Sequence, residues 1–390
     1  MGEDNYSEVT SRSWFSRIGG AFKGIVIGFV LMAMAGGLLF WNEGRAVERY
    51  KTLKEGGGMV QTVSFDTVDP ANEGRLVHVP GRVDTESTLF DHELGVQVQA
   101  ISLIRDVEMY QWQESSRSET KKQFGGGEET VTTFSYAKEW SKRVANSANF
   151  KKPAGHTNPT QMTYDSKTFI ADDVHLGAFR LPISLVEKID NASPLTLGAE
   201  VKSPEGTQLK IFRNNDGFYI GVDPNVAHIG DLRVHYRVIL PADVTLVARQ
   251  TGASFEPYKT STGGSIELLQ MGIHTAETMF QQAQQTNTVM TWILRAVGAL
   301  LMALGVNMIL APLVVLASIV PAIGSFTGAG TKLISMLVSG VFSLITISIA
   351  WFFYRPLFGG TLIMIALGIV ILLCIKFKKN KPEKLPPTLA

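Results

Sequence analysis

Between Lys23 and Glu43 the chain carries no charged residue, and Trp41 stands at the end of that run. A bilayer core about 30 Å thick takes about 20 apolar residues as helix, so residues 24–42 are long enough to span it. Arg12, Arg17 and Lys23 followed by Ala33-Met34-Ala35 also resemble a signal peptide with its cleavage site. The apolar run continues through Phe40 and Trp41, which predicts a retained anchor instead. No residue between Arg295 and Lys332 is charged, but Pro312, Pro321 and the glycines from Gly324 to Gly330 punctuate that stretch. The pattern predicts a second membrane helix over 295–319 and then a loop. Third and fourth helices are predicted over 333–354 and 356–375, with "YRPL" (354–357) as the turn between them.

Lysine placement orients these spans. Lys376, Lys378, Lys379, Lys381 and Lys384 follow the fourth, and Arg12, Arg17 and Lys23 precede the first. Both ends, a tail over 1–23 and a basic tail over 376–390, are therefore expected on the cytoplasmic side. Residues 43–290 would form one extracytoplasmic or luminal domain. Its fold cannot use disulfides, because the single cysteine, Cys374, lies in the fourth apolar run. A net charge of +1 gives no reason to expect a nucleic-acid partner.

Within 43–290 strand signals dominate. Leu232, Val234, Tyr236, Val238 and Leu240 alternate with Arg233, His235, Arg237 and Ile239, and Val244, Leu246 and Ala248 continue the pattern after a turn. Residues 208–222 read as two strands around Asn-Asn-Asp-Gly, and 107–140 as a long hairpin around Gly125–Gly127. With even positions paired to even, Tyr110, Trp112, Phe134, Tyr136 and Trp140 share one face of that hairpin. Three helices are expected: Ala46–Glu55, stopped by three glycines, a short one over Leu181–Ile189, and one from Thr275 running on into the second span. The fold class is α+β, a mainly antiparallel β domain on a four-helix transmembrane base.

Reaction chemistry leaves little trace. HExxH, G-x-S-x-G and a strict phosphate-loop pattern are missing, and "GSFTGAGTK" (324–332) reads as a flexible loop. No histidine pair has metal-ligand spacing, so neither a metal nor a cofactor is expected; His274 and Glu277 read as a solvated first helical turn. "GHTNP" (155–159) reads as a turn. Arg233, His235 and Arg237 form a basic stripe, either an anion- or lipid-headgroup contact or the wet face of an antiparallel strand. Ser335, Ser339 and Ser343, like Gly24 and Gly28, have the spacing of close helix packing, although a polar pore lining would use the same serines.

Motifs spread along the chain resemble the transmembrane protein 43 (LUMA) family. They are "NEGRA" (42–46), "NEGRLVH" (72–78), "VEMYQW" (107–112), "GHTNP", "GDLRV" (230–234), "ARQ" (248–250), "LRAVG" (294–298), "GVN" (305–307) and "FYRPL" (353–357). The resemblance implies a membrane protein with one N-terminal span, a large non-cytosolic domain and a C-terminal membrane block. It implies no catalytic residues. Animal members are multi-pass proteins of the endoplasmic reticulum and inner nuclear membrane, with emerin and lamins as partners. Homologues also occur in bacteria, and the short lysine tail and cysteine-free domain favour a bacterial inner membrane here.

The expected function is a non-enzymatic, homo-oligomeric scaffold that organises membrane proteins or lipid. A channel or transport component built from the C-terminal helices is the alternative, and a hydrolase or lipid-modifying enzyme using some combination of His156, His235 and acidic residues is a third reading. The repeated Asn-Glu-Gly-Arg, at 42–45 and 72–75, is read as two junctions. The first caps the helix from Ala46 as the chain leaves the membrane, and the second turns into a strand.

Overall fold

The structure, a computed structural model, describes residues 5–197, 210–214, 217–319 and 321–356, with the backbone alone at 214 and 321–326. The chain divides into two compact units. The first comprises Met1–Arg12, Thr52–Lys121 and Glu128–Gln284; the second comprises Ser13–Lys51, Lys122–Gly127 and Gln285–Ala390.

The first unit is built on two sheets. The principal strands are β1 (Asn5–Arg12), β2 (Leu76–Asp84), β3 (Ser102–Lys122), β4 (Glu128–Ser141), β5 (Lys210–Asn214), β6 (Gly217–Gly221), β7 (Leu232–Ile239) and β8 (Ala242–Thr251). One sheet runs β1-β4-β3-β7-β6-β5, with residues 167–170 beside β3 and 193–194 beside β7. The other centres on β2 and β8, antiparallel from Ala242 opposite Val83 to Arg249 opposite Leu76. Alternation decides which side is buried: Leu232, Val234, Tyr236 and Val238 of β7 join Val107 and Met109 of β3 and Val77, Val79, Leu246 and Ala248 of the second sheet in one apolar core. That core encloses an ion pair. Arg105 donates to both oxygens of Asp91 at 2.9 and 2.8 Å, and the Tyr236 hydroxyl donates to Asp91 at 2.6 Å. Burial first, and then the Asp91 acceptor, pushes the Tyr236 phenol far above its ordinary range, so it stays a donor.

The hairpin has the expected register. Hydroxyls of Ser118 and Thr132, and of Thr120 and Thr130, meet at 2.9 Å, so even positions face even. Tyr110 and Trp140 rings lie 5.2 Å apart. Residues 5–12, expected as a tail, instead form a strand along β4, from Asn5 opposite Ser135 to Arg12 opposite Glu128.

The helices are α1 (Trp14–Met59), α2 (Ala276–Ala317) and α3 (Pro321–Tyr354), apart from one turn at Ile183–Val186 where Leu181–Ile189 was expected. Among the described residues, three helices are long and apolar enough to cross a membrane: α1, α2 and the stretch Thr327–Tyr354 of α3. Three boundaries differ from the sequence reading. Helix α1 does not stop at 42 and restart at 46; it runs through Asn42–Arg45 and through Gly56 and Gly57. A Cβ at Gly56 would run into Ile266 and, at 3.1 Å, into Phe280, so these glycines seat the helix end against its own unit instead of ending it. The glycine-rich stretch 324–332 is helical, and Pro321 takes the first helical position, where its missing N–H costs nothing. Pro312 is carried inside α2. Residues 356–375, expected as a fourth span, lie outside the described residues except for Pro356, as does the tail 376–390.

Candidate functional site

In the second unit α1 and α2 are antiparallel, their contacts stepping up one helix and down the other: Gly24 with Met308, Gly28 with Gly305, Leu39 with Gly298. A Cβ on Gly28 would stand 2.6 Å from the Gly305 carbonyl, so both glycines are required for backbones this close. Above that apolar crossing the buried face of α1 turns polar. Ala35, Leu39, Asn42, Glu43 and Ala46 share it at three- and four-residue spacing, and Asn42 and Glu43 are wholly buried.

Glu43 is held by three donors. Arg295 of α2 gives Nε at 2.6 Å to one oxygen and Nη2 at 2.9 Å to the other, and Trp351 of α3 gives its indole N–H at 2.7 Å. The guanidinium also stacks 4.7 Å from the Trp292 ring centre. One turn away, Asn42 donates to the Thr291 carbonyl at 3.1 Å, and Arg45 bridges Asn42, Asn287 and Thr291 at 3.1–3.2 Å. Asn287 returns a bond to the Ala46 carbonyl at 3.0 Å. A Cβ on Gly44 would meet the Tyr354 ring at 2.6 Å, so glycine is what lets α3 lie this close. The result is a ladder, Asn287, Thr291 and Arg295 at i, i+4 and i+8, read by Asn42, Glu43 and Arg45. A charged pair this buried persists only when hydrogen bonds support it; Glu43 accepts three, while the neighbouring Arg45 keeps a buried Nε without a partner. The arrangement holds three helices together; its carboxylate is saturated, and no cluster of three or more potential metal ligands occurs among the described residues.

The predicted basic stripe lies on β7, opposite carboxylates. Arg237 donates to Asp106 at 2.8 Å, and His235 is the register partner of the same Asp106. Arg233 sits 3.7 Å from Glu108 and 3.9 Å over the Trp140 ring. Burial raises the Asp106 carboxyl, but hydrogen bonds from Arg237 and Lys142 outweigh it and hold the group below its usual range. His156 is elsewhere, stacked 4.0 Å from Tyr136 and edge-on 4.6 Å from Trp112. Trp112 and Asp106 are both on β3, about 20 Å apart at the rise of a strand, so His156 and His235 do not form one catalytic pair. "GHTNP" is a turn, with Gly155 at φ +86°, and also a pin: Asn158 accepts from the Trp112 N–H at 2.8 Å and donates to the Trp112 carbonyl at 2.9 Å.

The profile of the family described as Transmembrane protein 43 matches residues 109–356. The rat protein named Transmembrane protein 43 is 34% identical over 402 aligned positions, covering 97% of this chain and 99% of its own. The human protein of that name is 33% identical over the same shares, and a Drosophila melanogaster homolog is 29% identical over 87% of this chain and 91% of its own. This chain belongs to the transmembrane protein 43 family. No solved structure gives a significant match.

The short motifs that carry the resemblance to transmembrane protein 43 converge on the ladder. "NEGRA" supplies Asn42, Glu43, Gly44 and Arg45, "LRAVG" supplies Arg295 and Gly298, and "FYRPL" supplies Tyr354. Sequence reasoning missed Asn287, Thr291 and Trp351. Polar residues at 287, 291 and 295 on a single helical face ahead of an apolar run were the available signal.

Proposed function

We propose that this transmembrane protein 43 relative is a non-enzymatic membrane scaffold that assembles with copies of itself. It would organise membrane proteins or lipid through its β-rich domain on the extracytoplasmic or luminal side. The observation that supports this reading most is the Glu43–Arg295–Trp351 clamp. Its hydrogen bonds run between three helices, at the end of an apolar base. That is the construction of a rigid platform, and polar groups committed to helix–helix bonds are not available to a substrate. The basic stripe Arg233, His235 and Arg237 is proposed as a secondary lipid or anion contact, weakened by Asp106 and Glu108 beside it. The test is native mass spectrometry of the full chain released from lipid nanodiscs. Oligomers or co-purifying lipid and protein support the scaffold; a strictly monomeric chain without lipid or partner refutes it.

A further inference from the structure

The ladder does not balance its charges. Glu43 answers Arg295, but Arg45 bonds only the neutral Asn42, Asn287 and Thr291, and no carboxylate among the described residues pairs with it. Those three bonds leave part of a five-donor guanidinium unused, and its Nε is buried without an acceptor. Arg49 follows one turn on, half-buried and close enough to Arg45 for the two cations to repel. Glu48 beside them is exposed and bonds neither. Two like charges drawn partly out of water are costly unless an anion joins them.

Their place on α1 selects the anion. The uncharged run from Gly24 to Asn42 is about 28 Å long at the helical rise, close to the hydrocarbon thickness of a bilayer, so Arg45, about 4.5 Å further on, comes at headgroup level. Trp41 and Tyr50, both exposed on α1, are the aromatics expected at that depth. Below Arg45 the exposed Ile27, Val30, Met34 and Trp41 follow one another at three-, four- and seven-residue spacing, and Arg45 and Arg49 continue the same stripe. The stripe faces neither neighbouring helix. Gly28 and Leu39 meet α2, Phe40 and Gly44 meet Tyr354 of α3, and one residue is about 100° round the helix. We infer that Arg45 and Arg49 hold the phosphate of an anionic phospholipid whose acyl chain lies along Ile27, Val30, Met34 and Trp41. Guanidinium suits that ligand, because its planar donors match phosphate oxygens and it sheds water more readily than an ammonium. A second copy of this chain on the same stripe would bring two more arginines to two already unanswered, which charge disfavours. The inference does not rest on the scaffold reading, since a channel would offer the same site to lipid.

The test is native mass spectrometry of the full chain, delipidated in detergent and titrated with dioleoylphosphatidylglycerol, with dioleoylphosphatidylcholine and inorganic phosphate as comparison probes. The expected result is tighter binding of phosphatidylglycerol than of either, weakened roughly fivefold by Arg49→Gln, the equivalent of the about 1 kcal/mol that one cation contributes beside anionic lipid. Arg45→Gln should weaken it further, but it also removes three ladder bonds, so Arg49→Gln at unchanged elution volume is the variant that decides. Arg233→Gln with Arg237→Gln on β7 should leave the affinity as it was. Equal binding of the two lipids, displacement of phosphatidylglycerol by equimolar inorganic phosphate, or parent-like affinity in Arg49→Gln overturns the inference. So does loss of binding in the β7 variant alone, which would assign the lipid to the basic stripe. An oligomer that binds no lipid and falls apart in Arg49→Gln also overturns it, giving the face to a second copy.

Discussion

Removing the charge on Glu43 is the sharpest perturbation the structure offers. The carboxylate is fully buried and accepts three bonds of 2.6–2.9 Å, two of them from Arg295, itself only 15% exposed. Glu43→Gln keeps the shape but leaves the guanidinium without its counter-charge; Arg295→Met leaves the carboxylate with Trp351 alone. Each should cost about 3–5 kcal/mol, the penalty of stranding one buried charge. The double variant strands neither, and should recover about 2 kcal/mol relative to the sum of the singles. Trp351→Phe removes one bond to a charged group and should cost about 1.5–3 kcal/mol. Unfolding in detergent by increasing denaturant, read by tryptophan emission, measures all four, because Trp292 and Trp351 flank Arg295. Strict additivity of the two single variants would refute the clamp as a coupled unit.

Three other outcomes follow from the geometry. Gly28→Ala forces α1 and α2 apart at the Gly305 carbonyl and should cost about 1–3 kcal/mol in the same assay, whereas Gly36→Ala, with nothing within 4 Å, should not destabilise. Asp91→Asn leaves the buried Arg105 with the half-exposed Glu93 as its one carboxylate partner and should cost about 3–5 kcal/mol, measured by thermal unfolding. His78, bonded to Thr62 and to the His274 carbonyl at 3.0 Å each, has its pKa lowered mainly by burial. A folded-state pKa below the unfolded one means the unfolded chain takes up the proton first. Stability should therefore be full above pH about 6.5 and fall as pH drops from there through the folded pKa; His78→Gln should flatten that fall in a pH series of unfolding midpoints.

Much of the β domain was legible because burial on one side imposes a period of two, as at Leu232–Ile239 and through Trp112 of β3. The same logic hid β1. Tyr6 and Val9 stand among Ser7, Glu8, Thr10 and Ser11, and the strand exists because β4 offers an edge. The helix boundaries failed for a different reason. Capping and glycine rules are local, and they lose where tertiary contacts satisfy the backbone's neighbours. The Asn42 side chain was free to cap a helix on sequence grounds, but it is spent on Thr291 and Arg45, and the α1 ladder runs straight past it.

The two Asn-Glu-Gly-Arg copies make this concrete, because the same substitution should fail differently in each. Gly74 has φ +74° with nothing near a Cβ, its N–H bonds the Gln250 carbonyl at 2.9 Å, and the neighbouring Glu73 caps the Gly252 N–H at 2.8 Å. Gly74→Ala therefore carries only the left-handed backbone cost, about 1–2 kcal/mol, and Gly74→Asn should regain part of it, since asparagine tolerates that region. Gly44 is ordinary helix, and its difficulty is the Tyr354 ring 2.6 Å from a new Cβ. Gly44→Asn should be no better than Gly44→Ala, while Tyr354→Ala should relieve Gly44→Ala in the double variant. Thermal unfolding of the two series decides the matter: asparagine rescue at 44, or none at 74, would show that the copies are not a helix-packing contact and a turn.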